Sequence, residues 1–166
     1  MRIECSYCKA HLGDKEPLLD PRTSHGICQA CWETEVLPGI LMDAIPGSID
    51  PDTPVLIVSG EGRILGANDA AERIVGRVPR NLGLFGGDYL KCMFALDPGG
   101  CGETEACKTC TVRLAVQATL GGKTIEKLPV FLRQAGRHLK LTISTKEDCG
   151  MVRVTVHQVE VLGEEP

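Results

Sequence analysis

Nine cysteines stand in a chain of 166 residues, at positions 5, 8, 28, 31, 92, 101, 107, 110 and 149. Eight of them fall into two groups of four. In the first, Cys5-x2-Cys8 and Cys28-x2-Cys31 are separated by 19 residues. A C-x2-C pair folds back as a knuckle and aims two sulfurs at one point. Two knuckles make a tetrahedral four-thiolate site, a donor set that suits zinc. A segment of about 35 residues buries too little apolar surface to fold alone, so ligation would be its main source of stability. His11 and His25 are alternative donors. Four thiolates already close the site, which leaves both histidines in supporting or turn positions.

The second group reads Cys92-x8-Cys101-x5-Cys107-x2-Cys110. One knuckle with two dispersed cysteines is less typical of structural zinc. Iron–sulfur clusters accept wide and unequal spacings and also take four thiolates. An iron–sulfur cluster, a second zinc, a thiol/disulfide switch and plain structural cysteines all remain open from the residues. Gly99-Gly100-Cys101-Gly102 would let backbone pack closely around such a centre. Cys110 precedes a helix starting near Thr111, where free N–H groups favour a thiolate. Cys107-Lys108-Thr109-Cys110 also has the form of a thioredoxin-like motif, but the strand that motif needs before it is missing. Cys149 is left over, as an exposed thiol in a turn.

The elements that must position these groups follow from periodicity. Residues 1 to about 35 show little of it and read as a loop-built module. A helix is expected from near Gln29 through Leu37, broken by Pro38-Gly39, with a restart toward Ile45. Residues 46–53 carry Pro, Gly, Ser and Asp and read as a linker. The expected domains are therefore 1–45, the metal module and its connecting helix, and 54–162, with a Cys-rich insert at 92–110. In the second, strands are expected at 54–59 and 63–67, joined by Gly60-Glu61-Gly62. A helix opens at Asn68-Asp69, with Asp69 as cap and Glu72 completing a capping box. Gly76 supplies its stop. A second helix covers Thr111–Leu120, ended by Gly121-Gly122. Strands at 124–133, 138–145 and 151–162 close the chain as an antiparallel meander. Val152, Val154 and Val156 are even-numbered, whereas Val159 and Val161 are odd, which calls for a bulge near His157-Gln158. The fold class is α+β, one antiparallel sheet with helices on a single face plus a small N-terminal four-cysteine module.

Apolar residues make up 43%, charged residues 24% and aromatic residues 4%, with a net charge of −4. This is a globular composition with an aliphatic core and no basic footprint for nucleic acid or anionic membranes. The longest apolar run, Cys92 to Leu96, is far too short to span a bilayer. The first residues carry no secretory h-region, so a reducing cytoplasm is expected, where clustered thiols mean metal or redox chemistry. No phosphate loop and no Ser/His/Asp set is present, so an enzyme is not expected. His138 and His157 lie on expected strands as surface or satisfied residues, which leaves haem without an axial ligand. The charges at Lys123, Lys127, Arg133 and Arg137 read as a solvated sheet edge.

Two stretches carry a family resemblance. Ser24-His25-Gly26-Ile27-Cys28-Gln29-Ala30-Cys31, after an upstream C-x2-C, resembles a four-cysteine module attached to bacterial signalling proteins. Residues 54–76 resemble the opening of a PAS sensor domain: a strand, a Gly turn, a second strand ending at Asn68, and an Ala/Glu helix ending at Gly76. The meander at 124–162 fits the remainder. The Gly-Cys-Gly and Cys-x-x-Cys-x-x-Arg pattern at 100–113, with Arg113 last, resembles a Cys-rich subgroup of these domains. The resemblance implies a signal-transduction sensor that binds an iron–sulfur cluster, or another redox centre, at Cys92, Cys101, Cys107 and Cys110. It would act through a histidine kinase or other output module, or as a homodimer with residues 29–45 as contact helix. A non-catalytic adaptor with two structural zinc sites is the alternative.

Overall fold

The structure, a computed structural model, describes residues 1–36, 50–75 and 83–164. It contains two separate sheets. The N-terminal one has three four-residue strands, β1 (Arg2–Cys5), β2 (His11–Asp14) and β3 (Thr23–Gly26), in the order β2-β1-β3. β1 runs antiparallel to β2 and parallel to β3. The expected loop-built module is thus a small sheet. Among the described side chains of residues 1–36, Cys5 and Cys31 alone are buried. With no apolar face to bury, the strands carry no hydrophobic alternation, so their sequence does not announce them. A short helix, α1 (Gln29–Cys31), continues as a π-helical turn over Trp32–Val36. Leu37, the expected restart at 40–45, residues 46–49 of the expected linker and the Gly76 stop lie outside the described residues.

The second sheet has five strands: β4 (Val55–Val58), β5 (Ile64–Ala67), β6 (Ile125–Gln134), β7 (Arg137–Asp148) and β8 (Met151–Glu164). Their order is β5-β4-β8-β7-β6, and all four pairings are antiparallel. Helices α2 (Asp69–Val75) and α5 (Thr111–Leu120) pack against it, with α3 (Gly86–Tyr89), a 3-10 turn (Met93–Leu96) and α4 (Glu105–Lys108) between them. The core joins Ala71, Val75 and Val116 from the helices to Leu56, Val130, Leu139, Ile143 and Val154 from the strands. The strand members share one face by register, so the domain is the expected α+β layer pair. All four residues of β4 are buried, as its unbroken Val-Leu-Ile-Val run requires.

Two local readings meet different fates. Ile143 pairs with Val156 and Thr142 with Gln158, so His157 is the extra residue of a bulge where the valine phase flips. The helix cap, by contrast, is Asn68 rather than Asp69. Asn68 Oδ1 accepts the Ala71 N–H at 3.0 Å and also the Val55 N–H at 3.0 Å. Its Nδ2 donates to the Thr53 carbonyl at 2.8 Å. One side chain therefore caps α2 and pins it to the start of β4. Asn68→Ala is expected to cost about 2 kcal/mol, more than an ordinary cap, because Val55 loses its N–H partner as well. Urea unfolding with an unchanged m value would measure it.

Candidate functional site

The four sulfurs of Cys5, Cys8, Cys28 and Cys31 lie within 4.8 Å of one another. Among the described residues this is the one group of three or more His, Cys, Asp or Glu side chains that closes so tightly. Cys8 Sγ and Cys28 Sγ are 3.7 Å apart. A zinc–sulfur bond of about 2.3 Å puts tetrahedral ligands about 3.8 Å apart, so the spacing fits one four-thiolate metal ion. The knuckles are also visible in the backbone. The Cys28 N–H points to Cys5 Sγ at 3.5 Å, and the Cys31 N–H to Cys28 Sγ at 3.4 Å. His11 instead stands 3.4 Å from Asp14 on β2, and His25 lies on β3. Neither belongs to the group.

Electrostatics within the quartet are strongly asymmetric. The Cys28 N–H, followed by the Cys8 N–H, draws the Cys5 thiol down to about 6. Hydrogen bonding to Cys28, followed by burial, pushes Cys31 up to about 12. The metal-free Cys31 therefore keeps its proton at neutral pH.

Cys92, Cys101, Cys107 and Cys110 do not close into such a group among the described residues, although Cys107 and Cys110 each help to raise both Cys92 and Cys101. Burial, the largest influence, raises Cys92 and Cys101. Burial also opposes ionisation of Cys107, but donors overcome it and the thiol is lowered. Thr104 Oγ1 and the Gly102 N–H both reach Cys107 Sγ at 3.2 Å. The Gly87 N–H donates to Cys101 Sγ at 3.2 Å. Cys110 occupies the N-cap of α5, without a side-chain capping bond.

The glycines around this group are needed where they stand. Gly99, Gly100 and Gly102 all have positive φ. A Cβ on Gly87 would lie 2.6 Å from Cys101 Sγ. Arg113 Nη1 donates to the Gly102 carbonyl, so the arginine of the motif holds the turn whose N–H serves Cys107. Cys92 sits across from Gln134 in an isolated backbone bridge. Cys149 is exposed in the β7–β8 turn at φ 53°. His157 Nε2 meets Ser144 Oγ at 2.7 Å on the surface. Arg137 departs from the expected solvated edge, since its Nε donates to Gln134 Oε1 at 2.6 Å.

No family profile and no curated protein matches the chain. Nine solved chains do. One is the photoactive yellow protein domain of the sensor histidine kinase Ppr from Rhodospirillum centenum. It is 15% identical over 72% of this chain and 91% of its own, with a TM-score of 0.38. Another is the PAS domain of a protein from Desulfitobacterium hafniense, 19% identical over 67% of this chain and 93% of its own, with a TM-score of 0.35. Among the described residues no helix is long and apolar enough to cross a membrane.

Proposed function

We propose that the chain is a PAS-type sensor of redox or oxygen state. In this reading Cys5, Cys8, Cys28 and Cys31 hold a structural zinc. Cys92, Cys101, Cys107 and Cys110 hold an iron–sulfur cluster, and a protein partner such as a histidine kinase receives the signal. The zinc module and connecting helix (1–45), the linker (46–53) and the sensor domain (54–162) are separate units.

The observation that carries this reading is the contrast between the two quartets. The first closes to the spacing of a single tetrahedral ion. The second does not close so tightly, and N–H and O–H donors serve two of its sulfurs, Cys101 and Cys107. A polynuclear cluster binds one thiolate per metal corner or two per iron, so its ligand sulfurs stand farther apart than one tetrahedron edge. Hydrogen bonds to sulfur are also what tunes a cluster's potential. Such a centre would supply electron transfer and sensitivity to oxygen. The protein's own part is to donate hydrogen bonds to Cys101 and Cys107 and to limit water by burying Cys107.

Anaerobic purification tests the proposal. The protein should be brown, with iron, acid-labile sulfide and one zinc per chain, and Cys101→Ser should be colourless while keeping its zinc. Colourless native protein with two zincs per chain would replace the sensor with the two-zinc adaptor.

A further inference from the structure

Gln134 breaks the pattern of its strand. Along β6, Val130, Leu132 and Gln134 are all buried, with exposed residues between them. The third position of this inward row should be apolar, since a buried amide costs stability unless it is fully hydrogen-bonded. Gln134 is 5% exposed and uses both ends of its side chain. Its Nε2 donates to the Leu90 carbonyl at 2.7 Å, across 44 residues of sequence. Its Oε1 accepts from Arg137 Nε at 2.6 Å, across the β6–β7 turn. Its backbone bridges to Cys92.

The segment that Gln134 holds is the one that carries the first thiol of the second group. The Cys92 N–H donates to the Gly87 carbonyl at 2.8 Å, and the Gly87 N–H donates to Cys101 Sγ. The turn from Gly87 to Cys92 is therefore tied to the thiol group on one side and to Gln134 on the other. Arg137 in turn pairs in register with Glu164, at the end of β8.

Resting on the reading of Cys92, Cys101, Cys107 and Cys110 as a metal or cluster site, we propose that Gln134 positions the Cys92 turn and transmits the state of that site to the β6–β7 hairpin end and the last residues of β8. When the thiols are held by a centre, the turn is fixed and Gln134 keeps both partners. When the centre is lost, the turn is released from the thiol side, its motion strains the Leu90–Gln134 bond, and the hairpin end loosens. The amide suits this post, because one end donates to the Leu90 carbonyl while the other accepts from Arg137.

The test uses the full chain, loaded with zinc and then reconstituted anaerobically with ferrous iron and sulfide, before and after iron chelation. Amide hydrogen exchange at residues 134–138 and 161–164 is expected to rise about tenfold on iron removal, with β4 and β5 unchanged. Gln134→Met keeps the volume and loses both hydrogen bonds, so the difference between loaded and stripped protein should disappear at these residues. Should that variant fail to fold, Arg137→Ala decides: the difference should vanish at 161–164 and persist at 89–92. A native chain whose hairpin exchanges equally with and without bound iron overturns the coupling, as does a Gln134→Met or Arg137→Ala chain that keeps the full difference at 161–164. If Cys101→Ser takes up as much iron as the native chain, the thiol site itself is wrong and the coupling falls with it.

Discussion

Stripping the metal from Cys5, Cys8, Cys28 and Cys31 is expected to unfold residues 1–36 and to leave the five-stranded sheet standing. Three four-residue strands cannot hold together on backbone bonds alone. Among the described side chains of residues 1–36, those that are buried are Cys5 and Cys31, two of the ligands, so apolar burial gives the strands little help. Metal binding is then folding free energy, of order 10–16 kcal/mol for a structural zinc in a small module. Amide dispersion of residues 2–5, 11–14 and 23–26 should collapse on chelation, while that of β4–β8 persists; Cys31→Ser should give the same spectrum without chelator. Acid should act in the same direction. Zinc requires all four thiolates, so uptake at neutral pH must expel the proton that Cys31 retains. As pH falls through about 6, Cys5 takes its proton back and zinc affinity weakens further. A chelated chain that kept its N-terminal amide dispersion would show that something other than the metal holds the module.

What could be read in advance was what repeats locally. Helix α5 has the bounds its apolar face and Gly121-Gly122 dictate, and the valine phase locates the His157 bulge. The two quartets are visible as spacing. What escaped reading depends on partners distant in sequence. Asp69 with Glu72 satisfies a capping box, yet Asn68 wins, because its side chain also reaches Val55 and Thr53 on the neighbouring strand. Gln134 looks like a polar strand end until Leu90 arrives beneath it. Thr119 on α5 looks like a polar interruption, and it is fully buried because its hydroxyl meets that of Thr145 on β7. In each case a polar side chain was placed by a tertiary hydrogen bond that no window of sequence contains. The difference in tightness between the quartets is of the same kind, since spacing sets which sulfurs can meet but not how closely.

Gly87→Ala is expected to abolish the second thiol site while leaving the fold intact, and the reason is a single contact. Gly87 lies in α3 and does not have a positive φ, so its backbone suits any residue. Helix propensity alone would make alanine the better choice, by roughly 1 kcal/mol. The added Cβ, however, would lie 2.6 Å from Cys101 Sγ and 3.0 Å from Cys101 Cβ. Something must move, and the atom in the way is a proposed ligand. Either Cys101 swings out or α3 withdraws, taking with it the N–H that serves the sulfur and the carbonyl that holds Cys92. Both routes remove a ligand from its place, and overpacking of this kind costs about 1–3 kcal/mol. Gly86→Ala supplies the control, because the neighbouring glycine of the same short helix has nothing within 4 Å of an added Cβ. Anaerobic reconstitution should therefore load the Gly86→Ala chain with iron and sulfide as fully as the native one, and load Gly87→Ala at least tenfold less. N-terminal zinc should be equal in all three. If Gly87→Ala instead loaded normally and melted higher, the contact with Cys101 would have no bearing on the site, and Cys101 would not be one of its ligands.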